Sequence, residues 1–224
     1  MSVADKKGKD GGLRGLVIGM VVFVVAIGGI FTVVSNKSND HAATPSSVVK
    51  ANGYGIAFND SGKPQVDIWE DFQCPICQHF ESINHSYIES LARGNKVKVV
   101  FHPLSFIGAE SILAANAAAC AADQGKFLDY HYALYLNQGT ENSGHITNSW
   151  LEGIGASVGI TSSKFTQCVE NLSYSGWVKN IAADGAAKNV NATPTVFVNG
   201  KELDRNTQYM DPAAFQKALV AAGA

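Results

Sequence analysis

Two cysteines three residues apart, Cys74 and Cys77, are the residues of this chain whose type and spacing most directly suggest chemistry. They lie in Trp69-Glu70-Asp71-Phe72-Gln73-Cys74-Pro75-Ile76-Cys77-Gln78-His79-Phe80, where an apolar strand-like run (Val66 to Trp69) gives way to helix-like sequence. Pro75 suits the first turn of a helix, where its missing N–H is not needed. Cys74 then falls at or just before the helix N-terminus, where unpaired N–H groups and the macrodipole favour negative charge. A thiolate is such a charge, and it is the reactive form of cysteine. Cys77 lies one turn further on, close enough to close a disulfide with Cys74. The stretch reads as a thiol–disulfide exchange site.

The compartment follows from the other end of the chain. Of 224 residues 46% are hydrophobic and 16% charged, and the net charge of −2 gives no reason to invoke nucleic acid. Residues 1–34 carry Lys6, Lys7, Lys9 and Arg14 against Asp5 and Asp10, a net +2 that leaves −4 for the rest. Leu16–Val34 is a run of 19 residues without a charge. A spanning helix needs about 20 apolar residues and a signal-peptide core about 7–15. The length favours an uncleaved single-pass anchor over 16–34, with 1–15 cytoplasmic by the distribution of positive charge. A long cleaved signal peptide is the alternative, because Ser35, Ala42 and Ala43 follow. In both cases the catalytic body is extracytoplasmic, beyond a polar linker over 35–50.

Outside the cytoplasm disulfides form and persist. The four cysteines allow three pairings. A local Cys74–Cys77 pair leaves Cys120 and Cys168 as a structural disulfide, whose loop of about 50 residues stabilises by roughly 4 kcal/mol on the chain-entropy model. Their being a second redox pair is the functional alternative.

The elements that must hold the site are legible as alternating patterns. Tyr54–Phe58 and Gln65–Trp69 read as short strands, the first at an edge, joined by a turn-rich link. The cysteine helix runs to about Leu91, and Lys96–Phe101 is a strand, so the last three elements make a βαβ unit with parallel pairing. Five helical candidates follow: Ala109–Ala122, Phe127–Leu136, Thr147–Val158, Ser162–Leu172 and Tyr174–Lys188. Ser162 or Thr161 could cap the fourth. Thr195–Val198, an Asn199-Gly200 turn and Lys201–Leu203 form a hairpin. Asp211–Ala222 closes the chain as a helix capped by Asp211, with Pro212 at its first position.

These residues resemble the DsbA-like branch of the thioredoxin-fold thiol oxidoreductases, in its membrane-anchored actinobacterial form. The resemblance is carried by Glu70-Asp71-Phe72-Gln73-Cys74-Pro75-Ile76-Cys77, His102-Pro103-Leu104, Gln124-Gly125-Lys126-Phe127 and Ala192-Thr193-Pro194-Thr195-Val196-Phe197-Val198-Asn199-Gly200, over about residues 50–224. It implies an α/β fold: a thioredoxin-like mixed sheet from 51–104 and 190–224, with a helical insertion at 105–189. It implies that Cys74 and Cys77 are catalytic. Thr193–Pro194 would be a cis-proline loop whose Thr193 backbone pairs with a substrate peptide. The substrates implied are exported proteins with free cysteines. A membrane partner of the DsbB or vitamin K epoxide reductase type would restore the disulfide, and no dissociable cofactor is implied.

Two departures stand out. Relatives often carry a buried acid six residues before the first cysteine; here that position is Ile68, and strand alternation does not assign the role to Asp67 or Glu70. The dipeptide between the cysteines is Pro75-Ile76, not the Pro-His of strongly oxidising relatives, which points to a less oxidising site. Thr193 before the proline also occurs in isomerase-like relatives. An isomerase or reductase is therefore one alternative, and a peptide-binding chaperone domain another. A metal-delivery protein is the third, although Cys74, Cys77 and His79 lack a second ligand pair at suitable spacing. His102, His131 and His145 read as surface or hydrogen-bonded residues. Trp69, Phe72, Phe80, Phe127, Tyr130 and Tyr135 read as core or as the lining of a shallow peptide groove.

Overall fold

A computed structural model describes residues 42–48 and 53–224. The expected anchor over 16–34 and the cytoplasmic segment before it lie outside the described residues. No helix among the described residues is long and apolar enough to cross a membrane.

Five strands form one mixed sheet. They are β1 (Ile56–Phe58), β2 (Gln65–Glu70), β3 (Lys98–Pro103), β4 (Thr195–Val198) and β5 (Lys201–Glu202). The spatial order is β1-β3-β2-β4-β5. β2 and β3 are parallel and are joined by helix α1 (Pro75–Arg93), the expected βαβ unit; β1 flanks them at the antiparallel edge. Asn199 and Gly200 both take positive φ (50° and 77°), which a tight hairpin turn between β4 and β5 requires.

β3 extends two residues past its expected end. His102 pairs in register with Trp69 and stacks on its indole at 3.8 Å. Pro103 follows at a point that β1, whose pairing ends at Phe101, no longer covers, so its missing N–H breaks no ladder.

Between β3 and β4 run α2 (Ala109–Asp123), α3 (Phe127–Leu136), α4 (Asn148–Ser157), α5 (Ser163–Glu170) and α6 (Ser175–Ala187). α2 is buried on nearly every side, with Ala114, Ala115, Ala117, Ala118, Ala119 and Ala121 out of contact with solvent. A helix apolar all round belongs in a core. Its alanines let α3, α5 and α6 approach closely. Ser162 caps α5 by accepting from the Phe165 N–H, and Asp211 caps α7 (Pro212–Ala221) by accepting from the Ala214 N–H. A π-helical turn over Arg205–Tyr209 precedes α7. The six aromatics singled out from the sequence are all buried.

Cys120 of α2 and Cys168 of α5 are bonded, Sγ to Sγ at 2.03 Å, across 48 residues of sequence. Replacing both by alanine is expected to lower the unfolding free energy by about 4 kcal/mol in urea titrations, the loop-entropy contribution of a bridge of that span. Exchange at Cys74 and Cys77 should survive. Its loss in a variant that still folds would identify the pair as a second redox couple.

Candidate active site

β2 and β4 are antiparallel neighbours, with Trp69 opposite Thr195. The end of β2 therefore lies beside the start of β4. Four residues after β2 the chain reaches Cys74, and immediately before β4 it passes through Pro194. The sheet thus brings together residues 120 positions apart. The Thr193–Pro194 peptide is cis, and the Cys74 thiol donates to the Thr193 carbonyl at 3.6 Å. Pro194 is buried and Thr193 half-buried. The Pro194 carbonyl is held from below, accepting from the Tyr209 hydroxyl at 2.9 Å and from Arg205 Nη2 at 2.7 Å.

Cys74 is the N-cap of α1 and Pro75 fills its first position. Both cysteines are free thiols in this structure. Hydrogen bonding from the Cys77 thiol lowers the Cys74 pKa to about 6. Burial opposes this shift, whereas the Thr193 side chain and the backbone N–H groups of Cys77 and Ile76 reinforce it. Cys77 lies wholly inside the fold. Burial pushes its thiol well above the ordinary range, as do the Cys74 sulfur and the charge of Glu70. One thiol is thus an ion near neutrality and the other stays protonated.

Below the cysteines, a buried polar network fixes the loop. Asp71 Oδ1 accepts from the Gln73 N–H (2.9 Å) and the Ser111 hydroxyl (2.7 Å), and its Oδ2 accepts from the Ile107 N–H (3.0 Å). Gln73 donates to Ser111 Oγ and accepts from the Asn142 N–H. Gln138 donates to the carbonyls of Phe72 (2.6 Å) and Cys74 (3.2 Å). Burial pushes Asp71 up, and these donors counter the shift. Apart from the quoted motif, nothing local in the sequence marks Ser111, Gln138 or Asn142, because their partners are dozens of residues away.

Glu70 is buried on the same face as Val66 and Ile68. It is two residues past the position where relatives carry an acid, so by strand period it projects on that same face, one pleat nearer the cysteines. Burial, with the Cys74 sulfur nearby, holds Glu70 well above the usual carboxylate range. Its Oε2 is 3.1 Å from Nε2 of His131 on α3, and burial lowers His131 to about 4. Glu81 of α1 is also buried, and burial and Glu70 raise its carboxyl. Glu70, Glu81 and His131 present atoms mutually within 4.8 Å. His79 is exposed and lies outside this cluster. His145 sits in the α3–α4 connection, bonded to Ser143.

A low thiol pKa has a directly measurable consequence. The unfolded value is about 8.5, and the folded value is lower. The thiolate therefore stabilises the reduced protein fully above about pH 8.5, and this contribution is lost as pH falls through about 6. Thiolate absorbance of the reduced protein near 240 nm should rise with pH through an inflection at about 6 that disappears in Cys74→Ser. An inflection near 8.5 would contradict the geometry.

Residues 59–219 match the family model described as Thioredoxin. Disulfide bond formation protein D of Bacillus subtilis is 27% identical over 182 residues, covering 78% of this chain and 81% of that protein. The thiol-disulfide oxidoreductase MdbA of Actinomyces oris superposes with a TM-score of 0.70 at 22% identity, over 81% of this chain and 91% of that one. Reduced DsbA of Mycobacterium tuberculosis superposes with a TM-score of 0.61 at 26% identity, over 80% and 89%. With its cysteine pair at a helix N-terminus beside a proline loop, the chain belongs to the thioredoxin family, and within it to the DsbA-like thiol–disulfide oxidoreductases.

Proposed function

We propose that this enzyme introduces disulfide bonds into exported proteins through Cys74 and Cys77. The observation that carries the reading is the unlike setting of the two sulfurs, one stabilised as thiolate and the other buried as thiol. In the oxidised enzyme, a substrate thiolate attacks Cys74 Sγ. The Cys74–Cys77 bond breaks, a mixed disulfide forms, and Cys77 leaves carrying the electron pair. Cys77 takes up one proton, for which Glu70, a buried acid that acts electrostatically on Cys77, is the candidate donor. A second substrate thiolate then attacks the substrate sulfur of the mixed disulfide and expels Cys74 as a thiolate, a good leaving group at its lowered pKa. The substrate has lost two electrons to the enzyme, and the enzyme holds one proton on Cys77.

Around the cysteines, Ile76, Phe106 and Leu136 are exposed apolar side chains. Phe106 adjoins Ile107, which is tied to Asp71, and Leu136 ends the helix preceding Gln138. With the Thr193 backbone they offer an extended, unfolded peptide an apolar footing and a hydrogen-bonding edge. Such a surface discriminates little between sequences, as suits an enzyme acting on many unfolded chains.

The chain works at the outer face of the membrane. Residues 16–34 anchor it with 1–15 cytoplasmic, 35–50 tether it, and 51–104 with 190–224 form the catalytic domain around the helical insertion at 105–189. A quinone-linked membrane partner, DsbB-like or vitamin K epoxide reductase-like, removes the electrons. The 19-residue uncharged run Leu16–Val34 supports this reading, because an enzyme anchored by it would share one bilayer with its partner.

The test is oxidative refolding of a reduced, unfolded secreted protein with the enzyme and an external oxidant. Wild type should accelerate disulfide formation, Cys74→Ser should be inert, and Cys77→Ser should accumulate a mixed disulfide with substrate. Faster refolding by Cys74→Ser would instead indicate a peptide-binding chaperone. Action only on wrongly paired disulfides would indicate an isomerase. In intact cells, a membrane-impermeant thiol reagent should label Cys74 of the reduced enzyme.

A further inference from the structure

Every fourth residue along α1, starting from the buried active-site cysteine, is ionisable: Cys77, Glu81, His85, Glu89, Arg93. A four-residue step on a helix of 3.6 residues per turn advances about 40° around the axis. The row therefore spirals out of the core. Exposure rises along it from 0% at Cys77 and 1% at Glu81 to 15%, 32% and 52% at the side chains of His85, Glu89 and Arg93. The members face one another in turn. His85 Nδ1 is 3.4 Å from Glu81 Oε2, His85 Nε2 is 3.4 Å from Glu89 Oε2, and Arg93 Nε donates to Glu89 Oε1 at 2.8 Å.

The inner end of the row meets the site. Glu81 lies among Glu70 of β2 and His131 of α3, and Tyr135 of α3 also faces this cluster. Glu81 has only the long approach of His85 Nδ1 at 3.4 Å to one oxygen, and Glu70 Oε1 has no partner. A buried carboxyl group short of partners is costly in either protonation state, and a purely structural role would be served as well by an apolar side chain of similar volume. The outer end is ordered too. The His85 ring stacks on Tyr132 at 3.5 Å, which holds one nitrogen toward each carboxylate. His85 is also within electrostatic reach of His131.

The geometry points to a proton path along α1, in which Glu81 and His85 connect Glu70 and Cys77 to solvent at Glu89. The inference rests on the exchange chemistry given above for Cys74 and Cys77. When the disulfide opens, Glu70 gives its proton to the Cys77 sulfur and becomes a carboxylate. A proton passes to Glu70 from Glu81, His85 Nδ1 reprotonates Glu81, and His85 recovers a proton on Nε2 from water beside Glu89. One proton enters per disulfide reduced, and when the enzyme is re-oxidised it leaves by the reverse steps. Glu81 and His85 act through Glu70 and touch neither substrate nor Cys74, so they are positioning residues for the proton.

The test uses the full chain in detergent micelles, with acid-quenched reduction of Cys74–Cys77 by excess dithiothreitol across pH, in H2O and in D2O. Glu81→Gln and His85→Ala should each slow reduction near neutral pH by about tenfold, a modest share of the 10²–10⁴ that positioned proton transfer commonly supplies. The solvent isotope effect should increase in both. Added imidazole should restore His85→Ala by entering the space over Tyr132. Wild-type rates in both variants would overturn the path. So would slowing that neither D2O nor imidazole alters, which would make the row structural. One equivalent of divalent metal in the purified protein, found by elemental analysis, would overturn it as well, by making the carboxylates ligands. If Glu81→Gln does not fold, His85→Ala, nearer the surface, decides alone. Failure of the wild-type disulfide to be reduced would instead sink the parent reading of Cys74 and Cys77.

Discussion

The hydrogen bond from the Cys77 thiol to the Cys74 sulfur, backed by the N–H groups of the first turn of α1, stabilises a negative charge at the mouth of the site. The rest of the structure is arranged around that charge. It requires a helix N-terminus, which Pro75 starts without wasting a donor. It requires a second sulfur one turn deeper in a medium that keeps it protonated, which the wholly buried position of Cys77 supplies. It also requires an open side for a substrate sulfur to approach, at the start of β4. The antiparallel pairing of β2 with β4 meets that need by setting the Thr193–Pro194 loop against Cys74.

Holding a charge at a loop tip demands a rigid floor. Asp71, Gln73 and Ser111 bond to one another and to the backbone, so the Cys-Pro-Ile-Cys turn rests on hydrogen bonds, not on apolar contact alone. A hydrogen bond to a charged group contributes about 1.5–3 kcal/mol, so this network offsets part of the burial of the Asp71 carboxyl, which stays raised. Glu70, Glu81 and His131 are different, because their pairing is incomplete. A group of acids left short of partners beside a cysteine that must gain and lose a proton is understandable as a store and route for that proton, and is hard to justify as scaffolding.

Much of this was legible in the residues. The helix start at Cys74-Pro75, the caps at Ser162 and Asp211 and the Asn199-Gly200 turn are local effects, and local chemistry sufficed to find them. The strand β3 lies two residues further along than its pattern, with the same length, because His102 pairs with and stacks on Trp69, a partner on another strand. Glu70 was passed over because both faces of β2 are buried near its end, which blurs polar alternation. His131 sits in a helix otherwise read as apolar core, and its carboxylate partner is 61 residues away. Ser111, Gln138 and Asn142 carry no local signal. Departing from strongly oxidising relatives, Ile76 between the cysteines suggested a milder site. A Cys74 pKa of about 6 fits that, between values of about 7 in thioredoxin and about 3.5 in the strong oxidant DsbA.

The reduction potential of Cys74–Cys77, equilibrated against glutathione with Cys120 and Cys168 followed separately by mass spectrometry, tests this account most directly. A thiolate stabilised in the reduced enzyme raises the potential. The account predicts a value clearly above about −200 mV and below the about −120 mV of the strongest oxidants. A value near about −270 mV, the thioredoxin range, would contradict it and make the enzyme a reductant.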